Sequence, residues 1–265
     1  MDLKLTGKTA LVTGSTAGIG FAIARTLARE GAHVWVNGRT QQRVDAAIAS
    51  IQAGLPSATV AGIAADFASG DAATASVTSR LPRVDILVNN VGIFDVQPFL
   101  EIPDAEWYRF FEVNVMSGVR LSRHYLKGML EKNWGRILFI SSESAVQIPV
   151  EMVHYGMTKT AQVAIARGIA ESVAGSGITV NSILAGPTAS EGAGAFVESM
   201  ARQQNKTTQQ IEKEFFEKAR PSSLLRRFAT TDEVAALVAY VAGEPSSATN
   251  GSALRVDGGV VRAVL

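Results

Sequence analysis

Short apolar runs alternate with segments of helical periodicity along almost the whole chain. The runs are rich in valine, isoleucine and leucine, which is typical of strands buried on both faces of a parallel sheet. The predicted strands cover residues 9–12, 33–36, 59–64, 84–88, 136–141, 179–184 and 253–256. The predicted helices cover residues 21–30, 41–51, 71–80, 104–132, 160–174, 196–204, 207–218 and 231–242. This alternation predicts a doubly wound α/β fold, with a mostly parallel seven-stranded sheet and helices on both faces.

Polar residues and glycines follow the carboxyl ends of several predicted strands. Gly14 follows the first strand, Asp66 the third, Asn90 the fourth and Ser142 the fifth, and a Gly-Pro turn at 186–187 follows the sixth. In open parallel sheets, ligands bind in the crevice outside the carboxyl ends of the strands. We therefore expect these segments to converge on one ligand site.

Composition restricts the class of protein and its partners. The chain has 265 residues, 47% hydrophobic and 18% charged, so it can bury a sizeable core and we expect one domain over 1–265. The net charge of +1 gives no general attraction to nucleic acid or to acidic membranes. There is no cysteine and no metal-binding histidine spacing, so neither a disulfide nor a metal site is expected. Without a signal-peptide core or an apolar run of about 18 residues, the expected location is the cytoplasm.

The segment from Thr13 to Gly20 reads TGSTAGIG and stands between the first strand and the first helix. Gly14, Gly18 and Gly20 let a ligand approach the backbone closely, and a helix N-terminus offers unpaired N–H groups and a positive dipole to phosphate. The segment therefore predicts a cradle for the phosphates of a dinucleotide. A simple tight turn is the alternative interpretation of these glycines.

The second strand ends in Asn37-Gly38-Arg39, where a dinucleotide fold contacts the adenosine ribose. An acid here would accept a hydrogen bond from the 2′-hydroxyl of NAD, and the chain has none. Arg39 instead suits the 2′-phosphate of NADP, because a guanidinium binds phosphate with parallel hydrogen bonds. NADP(H) is the preferred expectation and NAD(H) stays possible. A solvent-exposed arginine without a ligand is the alternative.

Tyr155 and Lys159 are the candidate chemical centre of the chain. They are four residues apart, so on a helix their side chains lie on the same face. A free tyrosine titrates near pH 10, and acid-base work near neutrality needs a pKa lower by roughly 3 units, or about 4 kcal/mol. One ammonium at about 4 Å supplies roughly that much. Ser142, at the end of the fifth strand, can face the same point, whereas a chance Tyr-x3-Lys pair is the alternative.

Taken in order, these motifs resemble the short-chain dehydrogenases/reductases from Thr9 to about Gly259. The gap of thirteen residues between Ser142 and Tyr155 is the family's usual one and selects Ser142 over Ser141. Gln162 is not a lysine, which argues against the enoyl-reductase branch. The motifs that carry the resemblance are Thr13-Gly14-x3-Gly18-Ile19-Gly20, Asp66, Asn89-Asn90-Val91-Gly92, Asn114, Ser142, Tyr155-x3-Lys159 and Gly186-Pro187-Thr188.

The resemblance implies roles for the candidate catalytic residues. Tyr155 would exchange a proton with the substrate oxygen, and Lys159 would lower the Tyr155 pKa and bind the nicotinamide ribose. Ser142 would hydrogen-bond the substrate carbonyl and stabilise its developing negative charge. Asn114 would hold a water molecule that links Lys159 to solvent.

The resemblance also implies a Rossmann-type cofactor site. Asp66 would meet the adenine ring, Asn90 and Gly92 would line the adenosine side, and Thr188 and Ser190 would hold the nicotinamide carboxamide. The implied cofactor-binding residues are Gly14, Ser15, Thr16, Gly18, Ile19, Gly20, Arg39, Asp66, Phe67, Asn90, Gly92, Tyr155, Lys159, Gly186, Thr188 and Ser190.

Three positions depart from the family pattern. Ala185 replaces the proline that usually precedes Gly186, so the turn is expected to be looser. Val91 replaces an alanine, which is a small change in packing. Ala17 stands where many NADP users carry a second basic residue, which weakens the NADP expectation.

Residues 190–227 differ in character from the rest of the chain and correspond to the family's mobile substrate lid. Gly192 and Gly194 are the expected hinge of this lid. His154 is expected at the surface or the pocket rim, and Glu143 is expected to cap a turn or contact solvent. The candidate substrate residues are Phe94, Ser144, Ile148, Val153 and Phe196.

The resemblance implies an NADP(H)-dependent oxidoreductase that interconverts a ketone or 3-oxo group and a secondary alcohol. A reductase of 3-oxoacyl thioesters is one subclass, although no basic entrance patch that would dock a carrier protein is evident. An NAD-dependent alcohol or sugar dehydrogenase is one alternative, and a non-catalytic nucleotide-binding sensor or scaffold is another. Such a C-terminal part usually builds a homotetramer interface in this family, so the resemblance implies a homotetramer.

Overall fold

The computed structural model describes residues 1–264, and the side chains of residues 193, 195 and 196 lie outside the described part. Its strands are β1 (Thr9–Val12), β2 (His33–Gly38), β3 (Val60–Ala64), β4 (Ile86–Asn89), β5 (Gly135–Ser142), β6 (Ile178–Ala185) and β7 (Ala253–Val256). They form one sheet in the order β3-β2-β1-β4-β5-β6-β7, and every neighbouring pair is parallel. The seven-stranded parallel sheet predicted from the apolar runs is therefore confirmed.

Helices cover both faces of the sheet, as the alternating pattern predicts. The helices include α1 (Gly18–Arg29), α2 (Gln41–Gly54), α3 (Asp71–Arg80), α4 (Asp104–Phe111), α5 (Ser117–Lys132), α6 (Val153–Ser172), α7 (Glu191–Gln204), α8 (Thr208–Glu214) and α9 (Thr231–Ala242). One core, with Ile23, Val44 and Val238, lies between the sheet and α1, α2 and α9. A second core, with Val77 and Leu121, lies between the sheet and α3, α5 and α6. Burying each of these side chains stabilises the fold by roughly 1.5–3 kcal/mol.

The helix predicted over 104–132 is interrupted by a π turn. α4 ends at Phe111, the π turn covers Glu112–Met116, and α5 begins at Ser117. A π turn winds one extra residue into a helix and is frequent at functional sites. The segments on both sides of this turn have helical periodicity, so the sequence reads as one uninterrupted helix.

Three helices, α1, α6 and α7, begin several residues before their predicted starts at 21, 160 and 196. Gly192 and Gly194, the expected hinge, lie inside α7, which begins at Glu191. α9 begins at Thr231 as predicted, and its N-cap is Thr230, which forms a reciprocal capping box with Glu233.

The strand order reverses between β1 and β4, and this switch point opens a crevice at the carboxyl ends of the strands. The segments that follow β1, β4 and β5 meet around it, and they carry Gly14, Asn90 and Ser142. Within residues 1–264, none of the helices is long and apolar enough to cross a membrane.

Candidate active site

A glycine-rich turn joins β1 to α1 and leaves the start of the helix open. Gly14 and Gly18 have φ angles of +59° and +58°, which glycine adopts without strain. Ala17, the N-cap of α1, provides no side-chain hydrogen bond to the first backbone N–H groups. A Cβ on Gly20 would lie 2.4 Å from both Asn90 Nδ2 and Gly14 O, so only glycine fits. The turn therefore has the geometry of a phosphate cradle.

Asn37 and Ser15 fix this turn against the second strand. Asn37 Oδ1 accepts a hydrogen bond from Gly14 N at 3.0 Å, and Nδ2 donates to two carbonyl groups near the end of β3 at 3.1 and 3.2 Å. The Ser15 hydroxyl donates to Val12 O at 2.6 Å and accepts from Asn37 N at 3.0 Å. Ser15 is fully buried, so its hydroxyl shapes the turn from inside the fold.

A cavity of about 390 Å³ lies beside the turn, at the carboxyl ends of β1 to β4. Arg39 lines this cavity with an exposed side chain, which makes no hydrogen bond or ion pair within residues 1–264. A Cβ on the neighbouring Gly38 would lie 2.4 Å from Thr16 Cγ2, so the chain has no room there for a carboxylate. The sugar end of the cavity therefore offers a free guanidinium and no acid from β2.

The third strand supplies the wall of the same cavity. Asp66 is exposed, and its Oδ1 accepts a hydrogen bond from Ala68 N at 3.0 Å. Phe67 is buried and lines the cavity beside it. Arg109 of α4 also lines the cavity, although no local pattern around Arg109 predicts this position.

A second cavity, of about 170 Å³, adjoins the first and contains the candidate catalytic residues. Ser142, Tyr155 and Lys159 line it, and Asn90 and Gly92 line both cavities. The two cavities thus form one cleft that passes the glycine-rich turn. Only glycine fits at position 20 beside the turn. Arg39 lies at one end of the cleft and Tyr155 at the other. The residues present therefore fit a dinucleotide cofactor.

β5 and α6 bring the three candidate catalytic side chains together. Ser142 is the last residue of β5, and Tyr155 and Lys159 lie one turn apart on α6. Lys159 Nζ lies 5.6 Å from the centre of the Tyr155 ring. It donates hydrogen bonds to Ile140 O at 2.8 Å and to Gln162 Oε1 at 3.2 Å. The ammonium is thus held beside the phenol by acceptors on both β5 and α6.

Burial controls the protonation of Tyr155 and Lys159. Loss of hydration raises the pKa of Tyr155 to about 12, and a hydrogen bond with Ser142 offsets part of that rise. Loss of hydration also lowers the pKa of Lys159 to about 8. The expectation that Lys159 brings the Tyr155 pKa near neutrality is wrong for this geometry, because loss of hydration is the largest effect on that pKa and the groups that lower it are Ser142 and Arg220. Tyr155 is therefore a protonated acid at neutral pH.

Asn114 lies in the π turn, and all of its polar groups are engaged. Its Oδ1 accepts from Ile93 N at 2.7 Å, and its Nδ2 donates to Ile93 O and to Thr158 Oγ1 at 3.0 Å. Its carbonyl oxygen accepts from Gln162 Nε2 at 2.6 Å. Gln162 therefore joins the Asn114 carbonyl directly to Lys159. The sequence contains a signal for this role, because Gln162 follows Lys159 by three residues and shares its helix face.

Glu143 does not contact solvent as expected. It is buried, and its Oε1 accepts a hydrogen bond from Arg220 Nε at 2.8 Å. Its Oε2 accepts from the Ser144 hydroxyl at 2.6 Å. Ser144, a candidate substrate residue, is therefore itself buried and engaged with Glu143. The long sequence separation of Glu143 and Arg220 hides this pair from sequence reasoning.

His154 is also placed differently from the expectation of a surface or rim position. It is fully buried against Trp107 and Phe110, with ring centres 6.1 and 4.1 Å away. Neither ring nitrogen has a hydrogen-bond partner within the described residues. Loss of hydration lowers the pKa of His154 below its ordinary value, against the smaller opposing effects of Asp95 and Glu106.

The remaining substrate candidates lie around the reactive end of the cleft. The Phe94 ring lies edge-on to Tyr155 with ring centres 6.4 Å apart, and it lines the second cavity. Ile148 is half-exposed and packs over Gly156, and Val153 begins α6 with a half-buried side chain. The side chain of Phe196 lies outside the described part of the chain.

The segment after β6 approaches both the cleft and the glycine-rich turn. A Cβ on Gly186 would lie 2.6 Å from the backbone that follows β7, so no side chain fits there. Thr188 is buried, and its Oγ1 donates to Gly186 O at 2.9 Å. A Cβ on Gly18 would lie 3.3 Å from Ser190 Cβ, so Ser190 lies beside the turn. Ile19 lines the second cavity together with Gly186.

Comparison with known proteins agrees with this arrangement along the whole chain. The short chain dehydrogenase family model matches residues 8–205. The chain is 46% identical over 264 residues to YvaG, an oxidoreductase of Bacillus subtilis, and the match covers 100% of both proteins. It is 34% identical over 255 residues to a D-beta-hydroxybutyrate dehydrogenase of Rhizobium meliloti, covering 95% of this chain and 98% of that protein.

A solved structure extends the similarity to three dimensions. The crystal structure of L-sorbose reductase from Gluconobacter frateurii, complexed with NADPH and L-sorbose, superimposes with a TM-score of 0.92. The sequence identity is 30%, and the match covers 100% of both chains.

Proposed function

The chain belongs to the short-chain dehydrogenase/reductase family, and we propose that it is an NADP(H)-dependent oxidoreductase that interconverts a ketone and a secondary alcohol. The cleft carries this proposal. It joins a glycine cradle and the free Arg39 guanidinium at one end to Ser142, Tyr155 and Lys159 at the other. The similarity to a sugar reductase that binds NADPH supports both the cofactor and the carbonyl substrate.

The residues of this chain perform the acid-base part of the reaction. The bound nicotinamide supplies the hydride in ketone reduction and accepts it in alcohol oxidation. Ser142 Oγ accepts a hydrogen bond from Ser144 N at 3.1 Å, and its own hydrogen, which faces Tyr155 in the empty cleft, can be donated to the substrate oxygen when a substrate is bound. Tyr155 donates its phenolic proton to the same oxygen as negative charge develops there. The nearby Lys159 ammonium stabilises the phenolate that remains.

The protonation of Tyr155 favours reduction near neutral pH. With a pKa raised to about 12, the phenol carries its proton and is ready to act as an acid. A developing alkoxide is a stronger base than a phenolate, so transfer of that proton to it is downhill. Alcohol oxidation instead needs the phenolate, whose population grows as the pH rises.

The choice of cofactor depends on Arg39. Its side chain is exposed in the adenosine cavity and has no competing partner in the described chain, which suits a 2′-phosphate. The steric block between Gly38 and Thr16 disfavours the carboxylate that would select NAD. NAD(H) is the second candidate, because Ala17 adds no further cation beside the turn.

We further propose that residues 1–265 act as one domain in which 190–227 cover the substrate. Gly192 of α7 lies against Phe94, since a Cβ built on it would be 3.6 Å from Phe94 Cζ, and Phe94 in turn faces Tyr155. A homotetramer in the cytoplasm is the assembly that family membership suggests. Sedimentation of the purified protein tests the tetramer, and a monomer across micromolar concentrations would contradict it.

A carbonyl panel read at the NADPH absorbance tests the proposed function. The panel contains ketoses, 3-oxo acids, 3-oxoacyl thioesters and simple aliphatic ketones, each supplied with NADPH and separately with NADH. We expect turnover of at least one class, faster with NADPH than with NADH at low cofactor concentration. Tight binding of NADPH without turnover of any class would instead favour a nucleotide-binding sensor.

A further inference from the structure

Gln162 connects two elements of the candidate active site. It lies on α6 one helical turn after Lys159 and is 1% exposed. Its Oε1 accepts a hydrogen bond from Lys159 Nζ at 3.2 Å, and its Nε2 donates to Asn114 O at 2.6 Å. Both ends of one side-chain amide are therefore bonded, one to the ammonium and one to the π turn.

The π turn explains why a backbone carbonyl is available to a side chain here. Within Glu112–Met116 the regular i to i−4 hydrogen-bond ladder is broken, and such breaks admit an inserted side chain or water. The side chain of Asn114 is separately bonded to Ile93 and Thr158, which holds the turn in place. The Asn114 carbonyl is thus presented to α6 by a rigid frame.

We propose that Gln162 is a positioning residue that replaces a bridging water between Lys159 and Asn114, fixing the ammonium beside Tyr155 and closing that route to protons. This inference rests on the proposed function of the same site. The amide reproduces the polarity of a water molecule, because it accepts from the ammonium and donates to the carbonyl. It differs from water because an amide N–H does not readily release one proton and take up another.

Closing this route changes how Tyr155 regains its proton. In ketone reduction the phenolic O–H bond of Tyr155 breaks and a new O–H bond forms on the product alcohol. The phenolate then needs one proton from solvent before the next turnover. With Gln162 closing the path through the π turn, that proton enters through the open cleft once the product has left.

The pKa of Lys159 reports directly on its hydrogen bond with the Gln162 amide, because of the groups that surround the ammonium. Loss of hydration is the cause of its lowered pKa, and no carboxylate in the described chain acts on it appreciably. Tyr155, on the same helix, is the titratable group that borders it. The polar contacts of the ammonium are the Ile140 carbonyl and Gln162, so a change at Gln162 reaches the ammonium first.

Three substitutions separate a positioning role from a merely structural one. Gln162→Leu keeps the volume and removes both hydrogen bonds, so we expect kcat to fall about tenfold or more, the size of a hydrogen bond to a charged group. Gln162→Ala opens space for water, which restores the bridge, so we expect kcat within about threefold of the parent. Gln162→Glu places a carboxylate beside the ammonium. Gln52→Leu, at an exposed position of α2, is the matched control for the glutamine-to-leucine change.

The pH dependence of NADPH affinity, measured by fluorescence, gives a readout that needs no substrate. We expect affinity to decline as Lys159 loses its charge, at lower pH in Gln162→Leu and at higher pH in Gln162→Glu than in the parent. Superimposable profiles in all three proteins would overturn the proposal. So would a Gln162→Ala variant as slow as Gln162→Leu, because water would then not replace the amide. If the pH profiles of NADPH affinity shift but the parent reduces no carbonyl compound, the contact between Gln162 and Lys159 is supported and the proposed oxidoreductase function is contradicted.

Discussion

Arg220 forms a buried ion pair with Glu143, the residue that directly follows Ser142. Arg220 Nε lies 2.8 Å from Glu143 Oε1, and the two side chains are 12% and 4% exposed. Arg220 follows the π turn Phe215–Ala219, so the pair ties the segment after α8 to the catalytic end of β5. The two charges act on the pKa of Tyr155 in opposite directions, the carboxylate raising it and the guanidinium lowering it.

Removing one member of this pair should destabilise the protein strongly. Arg220→Ala leaves the Glu143 carboxylate buried without its cation, and we expect the free energy of unfolding to fall by about 3 kcal/mol. The double variant Glu143→Ala with Arg220→Ala should recover most of this loss, since no unpaired charge remains. Denaturant unfolding of the parent, both single variants and the double variant measures the coupling.

A second cycle on an exposed pair is the control for the first. Arg167 and Glu171 pair across one turn of α6 at 2.7 Å with most of both side chains in solvent, so their coupling should stay below about 0.5 kcal/mol. If the losses of unfolding free energy in the two single variants add up to the loss in the double variant, then Glu143 and Arg220 do not tie the two segments together.

Arg39 should discriminate between the two nicotinamide cofactors. Replacement by alanine removes the guanidinium that faces the 2′-phosphate, so Arg39→Ala should weaken NADPH binding by roughly tenfold or more, the value of a charged hydrogen bond. NADH affinity should change by less than about threefold, because NADH lacks this phosphate. Fluorescence titration with both cofactors gives the two constants, and Arg29→Ala, at the exposed far end of α1, is the control. Equal weakening of both cofactors would contradict the role of Arg39.

His154 should make the protein sensitive to mild acid. Its pKa is lowered in the folded state, whereas in the unfolded chain it is about 6.5. The unfolded state therefore takes up the proton first as the pH falls, and stability present above pH about 6.5 is lost below it by up to about 1.4 kcal/mol per pH unit. Asp95 and Glu106 oppose the lowering of this pKa and Arg109 adds to it, so the loss ends where the folded histidine itself becomes charged.

Thermal unfolding between pH 7 and pH 5 measures this effect. His154→Leu keeps an apolar contact with Trp107 and Phe110 and breaks no hydrogen bond, because the ring nitrogens have no partner in the described chain. The variant should lose less stability than the parent over this range. His33→Ala, at an exposed position, should keep the parental slope. An unchanged slope in His154→Leu would assign the acid sensitivity to other groups.

The sequence predicted those parts of the site that follow from local periodicity. Tyr155 and Lys159 share a face because they are one helical turn apart, and Ser142 ends the strand that precedes their helix. The glycines of the first turn and the strand ends of a parallel sheet could be placed by the same reasoning. These features depend on neighbours within one strand-turn-helix unit, where the sequence determines geometry almost directly.

Contacts between distant segments could not be predicted in this way. Glu143 and Arg220 are separated by 77 residues, and nothing local to Glu143 indicates that it meets a cation. His154 is buried because α4 packs over it, which its own helix does not reveal. The raised pKa of Tyr155 depends on the hydration that the phenol loses to the surrounding segments, which no spacing rule records.

Replacement of Tyr155 by phenylalanine tests the central claim, that this phenol is the proton donor, most directly. NADPH oxidation is measured with a ketone identified by the panel, and NADPH affinity is measured separately by fluorescence. Tyr108→Phe, which removes a phenol that is 75% exposed, is the control and should keep parental activity. We expect Tyr155→Phe to lose roughly 10²- to 10⁴-fold in kcat while binding NADPH within about threefold of the parent. A Tyr155→Phe variant that turns over within threefold of the parent would contradict the role of this phenol as the proton donor.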